Sequence, residues 1–146
     1  MYANDGFREL SRQECDGRLT GMSVGRVVHT RQALPAVLPV SFCLDRDGAV
    51  LVRTSASSEL VSAIDGAVVA FEVDEVDAST RSGWSVVVTG AATLVTDPAE
   101  HARLLRSGPR SWVAAPEEVF VRIAPELVTG RELVGGRTLY GLGRPY

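Results

Sequence analysis

The 146-residue sequence predicts a mainly β fold, a closed or nearly closed β-barrel with short helices. Three observations carry that prediction. Six or seven short runs alternate apolar and polar side chains with period two, as strands do. Several are apolar on both faces in places, which suits a sheet that curls on itself. Three short capped helices interrupt them without strict strand–helix alternation, so an open parallel sheet does not fit. No repeat or low-complexity segment appears, and residues 1–146 read as a single domain.

Taken in order, Leu10 to Arg18 reads as a short helix. Ser11 and Glu14 form a capping box, in which two otherwise unpaired backbone donors are satisfied. Gly21-Met-Ser-Val-Gly25 matches the G-x-S-x-G pattern of a nucleophile elbow, but an elbow needs a strand before it and a helix after it. Here a helix precedes and the strand Arg26–Thr30 follows, so the match is a coincidence of spacing. Gln32-Ala-Leu-Pro35 reads as a turn.

The stretch from Pro39 to Leu60 organises the rest. Val40, Phe42 and Leu44 alternate, Asp45-Arg-Asp-Gly48 is a hairpin loop with glycine for a positive φ, and Val50 and Val52 resume the alternation. The second strand ends in Arg53-Thr54, and Ser55, Ser57 and Ser58 lead into a helix ending near Ile64, with Gly66 as its stop. A guanidinium, several hydroxyls and free backbone N–H groups so close in sequence suit a phosphate group. The alternative is an ordinary strand end with a serine N-cap.

Val68–Asp74 is the next strand, and Glu75 to Gly83 reads as a polar loop. Trp84 to Thr96 is the longest strand, with Gly90-Ala-Ala92 marking a bulge or a close backbone approach. Asp97-Pro98 with Glu100 opens a helix that runs to about Arg106 and stops at Ser107-Gly-Pro109. Phe120–Ile123 and Leu127–Leu133 are two further short strands, and the tail from Gly135 has no usable periodicity.

Composition narrows the function. A net charge of −3 argues against a broad nucleic-acid surface. No apolar run reaches membrane-spanning length, and the first residues do not read as a signal peptide. Cys15 and Cys43 have no metal-ligand spacing and read as reduced thiols of a cytoplasmic protein. All 15 basic residues are arginine, so a Schiff-base or P-loop lysine is excluded. His29 and His101 have no ligand partners at metal spacing, and Glu72, Asp74, Glu75 and Asp77 read as a solvated strand end and loop. No metal site and no acid–base pair stands out. One anion site, a tryptophan expected at the surface at position 84, and no catalytic machinery together suggest chemistry borrowed from a cofactor.

The sequence resembles the pyridoxamine 5′-phosphate oxidase-like family with the FMN-binding split β-barrel fold. The resembling segments are Val24–Val27, Pro35–Phe42, Val52–Ser55, Val69–Asp74, Gly83–Gly90 and Val128–Arg131, in the family's order and spread over most of the chain. The resemblance implies a flavin-dependent oxidoreductase and a homodimer with FMN sites at the interface. It implies phosphate binding by Arg53, Thr54, Ser57 and Ser58. It places the backbone of Leu38, Pro39, Val40 and Ser41 against the flavin ring, and Trp84 and Ser85 near the ring, reached from the other subunit. Substrate and catalytic residues stay open.

One position departs from the family. A lysine usually precedes the helix leucine matched by Leu60, and here that residue is Glu59. At ~4 Å and an effective dielectric of about 20, a carboxylate facing a phosphate costs on the order of 4 kcal/mol per unit charge. Glu59 is therefore expected to turn towards solvent if FMN binds. Deazaflavin F420 in place of FMN, and a non-catalytic flavin or small-molecule binder with a degenerate phosphate site, are the alternatives. Heme is a third, with only Cys43 and His29 as conceivable ligands.

Overall fold

The computed structural model describes residues 6–112 and 117–133. In chain order they form β1 (Arg8–Glu9), α1 (Arg12–Thr20), β2 (Val24–Arg31), β3 (Leu34–Leu44), β4 (Val50–Ser55), α2 (Glu59–Ile64), β5 (Val68–Asp77), β6 (Ser82–Leu94), α3 (Pro98–Ser107), β7 (Glu118–Ile123) and β8 (Leu127–Leu133). All pairings are antiparallel. Strands β6, β5, β2, β3, β4 and β7 follow one another, and β7 returns to β6, so six strands close the expected barrel. β8 pairs with the first half of β6 outside that ring, and β1 pairs with β8.

Closure buries one apolar face, and the second one in β4 and β7, Leu51 and Phe120, packs against Leu104 of α3. Val27, Phe42, Val50, Val52, Phe71, Val73, Val86, Val88, Val121 and Ile123 fill the interior, joined by Leu60 and Ile64 of α2 and Leu19 of α1. Phe42 and Phe71 meet edge to face with centroids 4.7 Å apart. The capping box at Ser11 and Glu14 is present, and the Asp97 side chain accepts from the Glu100 N–H with Pro98 in the first turn, as read from sequence.

Several boundaries differ from expectation by a few residues, and three of the differences have a clear physical cause. The Gln32–Pro35 turn is a two-residue hairpin, with Gln32 and Ala33 at φ 50° and 65°, and Pro35 already lies in β3. Proline is tolerated there because this part of β3 pairs with β2 alone. The polar loop from Glu75 to Gly83 is mostly strand: β5 runs to Asp77, β6 starts at Ser82, and Val76 faces Gly83 across the ladder. That arm is solvated, so it lacks the apolar alternation that marks a strand in sequence. α1 spans Arg12–Thr20 rather than Leu10–Arg18, because Ser11 is the cap and Leu10 pairs with Gly130. The tail from Gly135 lies outside the described residues.

Candidate functional site

Strands β3 and β4 pair only from Ser41↔Arg53 to Leu44↔Val50. Beyond Ser41 and Arg53 they diverge. β4 continues against β7, through Thr54↔Val119 and Ser55↔Glu118. β3 continues against β2 alone, through Val40↔Gly25, Pro39↔Arg26 and Leu38↔Val27. The barrel wall therefore splits with Ser41 and Arg53 at the apex. One arm offers an edge of Leu38, Pro39 and Val40 that no strand covers. The other offers Thr54 and Ser55, then Ser57 and Ser58 before α2. Eight of the ten residues expected to form the site thus border one split.

The polar groups of the second arm are only partly engaged. Ser55 and Ser57 share a hydroxyl–hydroxyl hydrogen bond of 3.0 Å. The Ser58 hydroxyl accepts from the Leu60 N–H at 3.2 Å, so its own proton remains available. The Ser58 N–H donates to the Ser55 carbonyl at 3.0 Å, folding the segment into a turn. Arg53 is more committed than its sequence position suggests. Its Nε is ion-paired with Glu118, its Nη1 donates to the Pro109 carbonyl at 3.2 Å, and its guanidinium lies 5.5 Å from the Phe120 ring centre. Glu59 is exposed to solvent, and its carboxylate accepts from Arg31 Nη1 at 2.6 Å. Cation, hydroxyls and open backbone edge are the donor set of a phosphate-bearing flat ligand, so the residues present fit the group that the resemblance implies.

Trp84 and Ser85 lie elsewhere on the barrel, on β6, separated from β3 by β5 and β2. Strand alternation sends them to opposite faces. Trp84 is buried, not at the surface, at 7% exposure, with the Arg18 guanidinium 5.6 Å from its ring centre. Ser85 faces outwards, and its hydroxyl donates to Glu72 at 3.4 Å.

The acidic run proves to be two environments. Glu75 and Asp77 are exposed. Glu72 and Asp74 share Arg26, which donates to Glu72 at 2.9 and 2.7 Å and to Asp74 at 2.7 Å. Burial and then the adjacent Asp74 push the Glu72 carboxyl upward, and the hydrogen bond from Glu72 holds Asp74 below the usual range. Arg26 is also the cross-strand neighbour of Pro39, so this cluster stands beside the open edge of β3. The period-two spacing of Glu72 and Asp74 put them on one strand face; only the register reveals Arg26 between them.

The remaining motifs carry no chemistry. Ser23 of the G-x-S-x-G match lies between α1 and β2, without the strand and helix of an elbow. His29 is buried on the inner face of β2, with its Nδ1 lacking a partner among the described residues. His101 packs edge-on to Phe120 at 5.2 Å. Cys15 and Cys43 are unpaired thiols, each pushed up by burial first. Among the described residues no three His, Cys, Asp or Glu side chains converge on a metal position, and no helix is long and apolar enough to cross a membrane.

Comparison with known proteins supplies an independent line. The family described as pyridoxamine 5′-phosphate oxidase matches residues 11–132. An uncharacterized protein of Mycobacterium tuberculosis is 44% identical over 131 residues, covering 86% of this chain and 85% of its own. The FAD binding protein from Mycobacterium smegmatis superposes with a TM-score of 0.77 at 35% identity, over 88% of this chain and 100% of that one. A FAD-binding protein from Mesorhizobium loti superposes with a TM-score of 0.70 at 26% identity, over 86% of this chain and 97% of that one.

Proposed function

Because this chain belongs to the pyridoxamine 5′-phosphate oxidase family, we propose that it binds a flavin at the β3–β4 split and works as a flavin-dependent oxidoreductase on a small molecule. The observation that carries this reading is the divergence of the two strands beyond Ser41 and Arg53. Arg53, Thr54, Ser57 and Ser58 take the phosphate, and the uncovered backbone of Leu38 to Ser41 lies along the ring. A bound flavin supplies the redox chemistry at its ring. The chain's own part is to hold the phosphate, orient the ring and aim fixed backbone dipoles at it. Glu118, which faces Ser55 across the ladder, and Glu59, which opens α2, are both ion-paired with arginine, so neither is assigned as a general base. The relatives named above as FAD-binding support a flavin over other phosphate-bearing ligands.

The working unit is a homodimer. The outer faces of β3, β2, β5, β6 and β8 carry one cross-strand row, Val37–Val28–Ala70–Thr89–Leu127. Its ends are open, with Val37 61% and Leu127 58% exposed. Rows of that kind are covered in a stable assembly. A second copy on this face would stand beside Ser85 and the Arg26 cluster. The expected compartment is the cytoplasm.

Absorbance of the purified protein, followed by titration with FMN, FAD and F420, tests the reading. Flavin bands, or saturable uptake in the micromolar range or below, are expected. A blank spectrum and flat titrations with all three would overturn it. Anaerobic reduction of the bound flavin by a nicotinamide donor then distinguishes an oxidoreductase from a flavin carrier.

A further inference from the structure

We infer that the start of the α3–β7 connection is a third station of the ligand site, where Arg110 takes a second phosphate and Trp112 stacks an aromatic base, so that the flavin is a dinucleotide; the inference rests on the flavin reading above. The connection is tied to the β4 arm at both ends. The Pro109 carbonyl accepts from Arg53 Nη1 at 3.2 Å, and the Ala56 N–H donates to the Glu117 carbonyl at 3.0 Å. Pro109 is buried, and the chain then surfaces: Arg110, Ser111 and Trp112 are all exposed. Three residues of extended chain span at most ~11 Å, so Trp112 stays within that distance of the Pro109 anchor.

The order of the parts matches the order of such a ligand. Across the sheet the uncovered edge of β3 comes first, the β4 arm with Thr54, Ser57 and Ser58 second, and β7 with its connection to α3 third. A flavin dinucleotide carries ring, phosphate, phosphate and base in the same sequence, whereas FMN reaches only the first two stations. The third station has the groups that the remainder of the ligand needs. Arg53 and Arg31 are each matched to a glutamate, but Arg110 makes no ion pair or side-chain hydrogen bond among the described residues, so its N–H fork is open to a phosphate. The carboxylates of this region are Glu118, which pairs with Arg53, and the exposed Glu117 at the far end of the connection. Trp112 is 71% exposed, the one aromatic among the exposed large apolar side chains of the described residues. Tryptophan is highly buried on average, and an exposed indole offers a flat face on which any base stacks. Deazaflavin F420 ends in carboxylates and brings no base to that face.

The test is titration of FMN, FAD and F420 into the full-length parent, Trp112→Ala, Trp112→Phe and Arg110→Gln, with circular dichroism and light scattering on each protein. The parent is expected to take FAD at least tenfold more tightly than FMN or F420. Trp112→Ala should weaken FAD about tenfold and leave FMN unchanged, while Trp112→Phe, which keeps a ring, should retain most of the preference. Arg110→Gln should weaken FAD about fivefold, with an effect that shrinks at high salt, and leave FMN unchanged. If the parent takes up none of the three, the flavin reading fails and the third station with it. If it takes them up but FAD gains nothing over FMN, or Trp112→Ala leaves the FAD-to-FMN ratio unchanged, only the third station is overturned. Equal losses in Trp112→Phe and Trp112→Ala would rule out stacking. A Trp112→Ala monomer beside a dimeric parent, with FMN weakened as much as FAD, would make the indole a subunit contact and overturn the inference as well. Both side chains are exposed, so loss of folding is not expected; should Trp112→Ala unfold, Trp112→Phe and Arg110→Gln carry the same ratio test.

Discussion

Gly90 and Ala124 pass so closely that a β-carbon on the glycine would lie 1.8 Å from the alanine's carbonyl oxygen. At this point β6 changes partners. Up to Thr89 it pairs with β8, and from Ala92 it pairs with β7. The Ala124 N–H donates to the Ala91 carbonyl at 3.0 Å, and the Ala91 N–H donates to Glu126 at 2.6 Å, which fixes the crossing backbone. Gly90→Ala should destabilise the fold by at least ~2 kcal/mol, because backbone rather than a flexible side chain must yield. Gly17→Ala is the contrast: Gly17 lies within α1 with nothing inside 4 Å of its would-be Cβ, and the change should stabilise by roughly 0.5–1 kcal/mol. Urea unfolding of both variants reads the two signs.

Asp45 governs part of the acid limb of stability. Its carboxylate accepts from Arg122 Nη1 at 2.7 Å, from the Arg46 N–H at 2.9 Å and from Arg103 Nη2 at 3.3 Å. The Arg122 hydrogen bond, ahead of the other causes, holds its carboxyl below the usual range. A group depressed on folding contributes stability that is present above its unfolded value, ~3.9 for aspartate, and that is lost as pH falls through its folded value. Asp45→Asn should therefore cost roughly 1–3 kcal/mol at pH 7 and flatten the fall in stability below about pH 4. Urea midpoints from pH 7 to pH 2.5 show whether the parent and variant curves converge.

Arg53 has two duties that a single substitution confounds. Arg53→Ala should weaken flavin binding by roughly 1.5–3 kcal/mol, and it should also lower stability, since it removes an ion-pair partner of the half-buried Glu118. Arg53→Ala with Glu118→Gln should recover much of the stability and little of the affinity. Equal recovery of both would mean that Arg53 acts only through Glu118.

The proposed dimer face is open to a charge. Val37→Arg adds a guanidinium to the end of that mostly apolar row, at a position 61% exposed in the single chain. The fold should tolerate it, while an interface burying more than ~1,200 Å² should not. Light scattering is expected to show a dimer for the parent and a monomer for Val37→Arg; a dimer in both would move the interface elsewhere.

What the sequence reveals depends on whether a feature is local. The hairpin at Asp45–Gly48 is legible because it needs a positive φ, and Gly48 has φ 85°. The caps of α1 and α3 are legible because their partners lie three residues apart. The solvated arm of β5 and β6 is not, because it buries no alternating face. β1 is only two residues long and owes its existence to β8. At the candidate site, Arg53, Thr54 and the serines are legible as a cluster because they are neighbours in sequence. The split beside them is a matter of register, and so are the partners of the charged groups: Arg31 meets Glu59 across 28 positions and Arg53 meets Glu118 across 65. From sequence Trp84 opens a strand and reads as an outside residue, whereas the ladder extends past it to Ser82 and draws it into the core.

The closure of the ring has a consequence for synthesis. β7 bridges β4 and β6, so the barrel cannot seal until Ile123 has left the ribosome. Until then β4 and the end of β6 present unpaired edges, and their apolar inner faces have no roof. The nascent chain up to α3 is thus the state most exposed to edge-to-edge association. A chaperone that engages short apolar strands would find its target there, and a ribosome stalled between α3 and β7 should hold a chain that is protease-sensitive in β4 and aggregates on release.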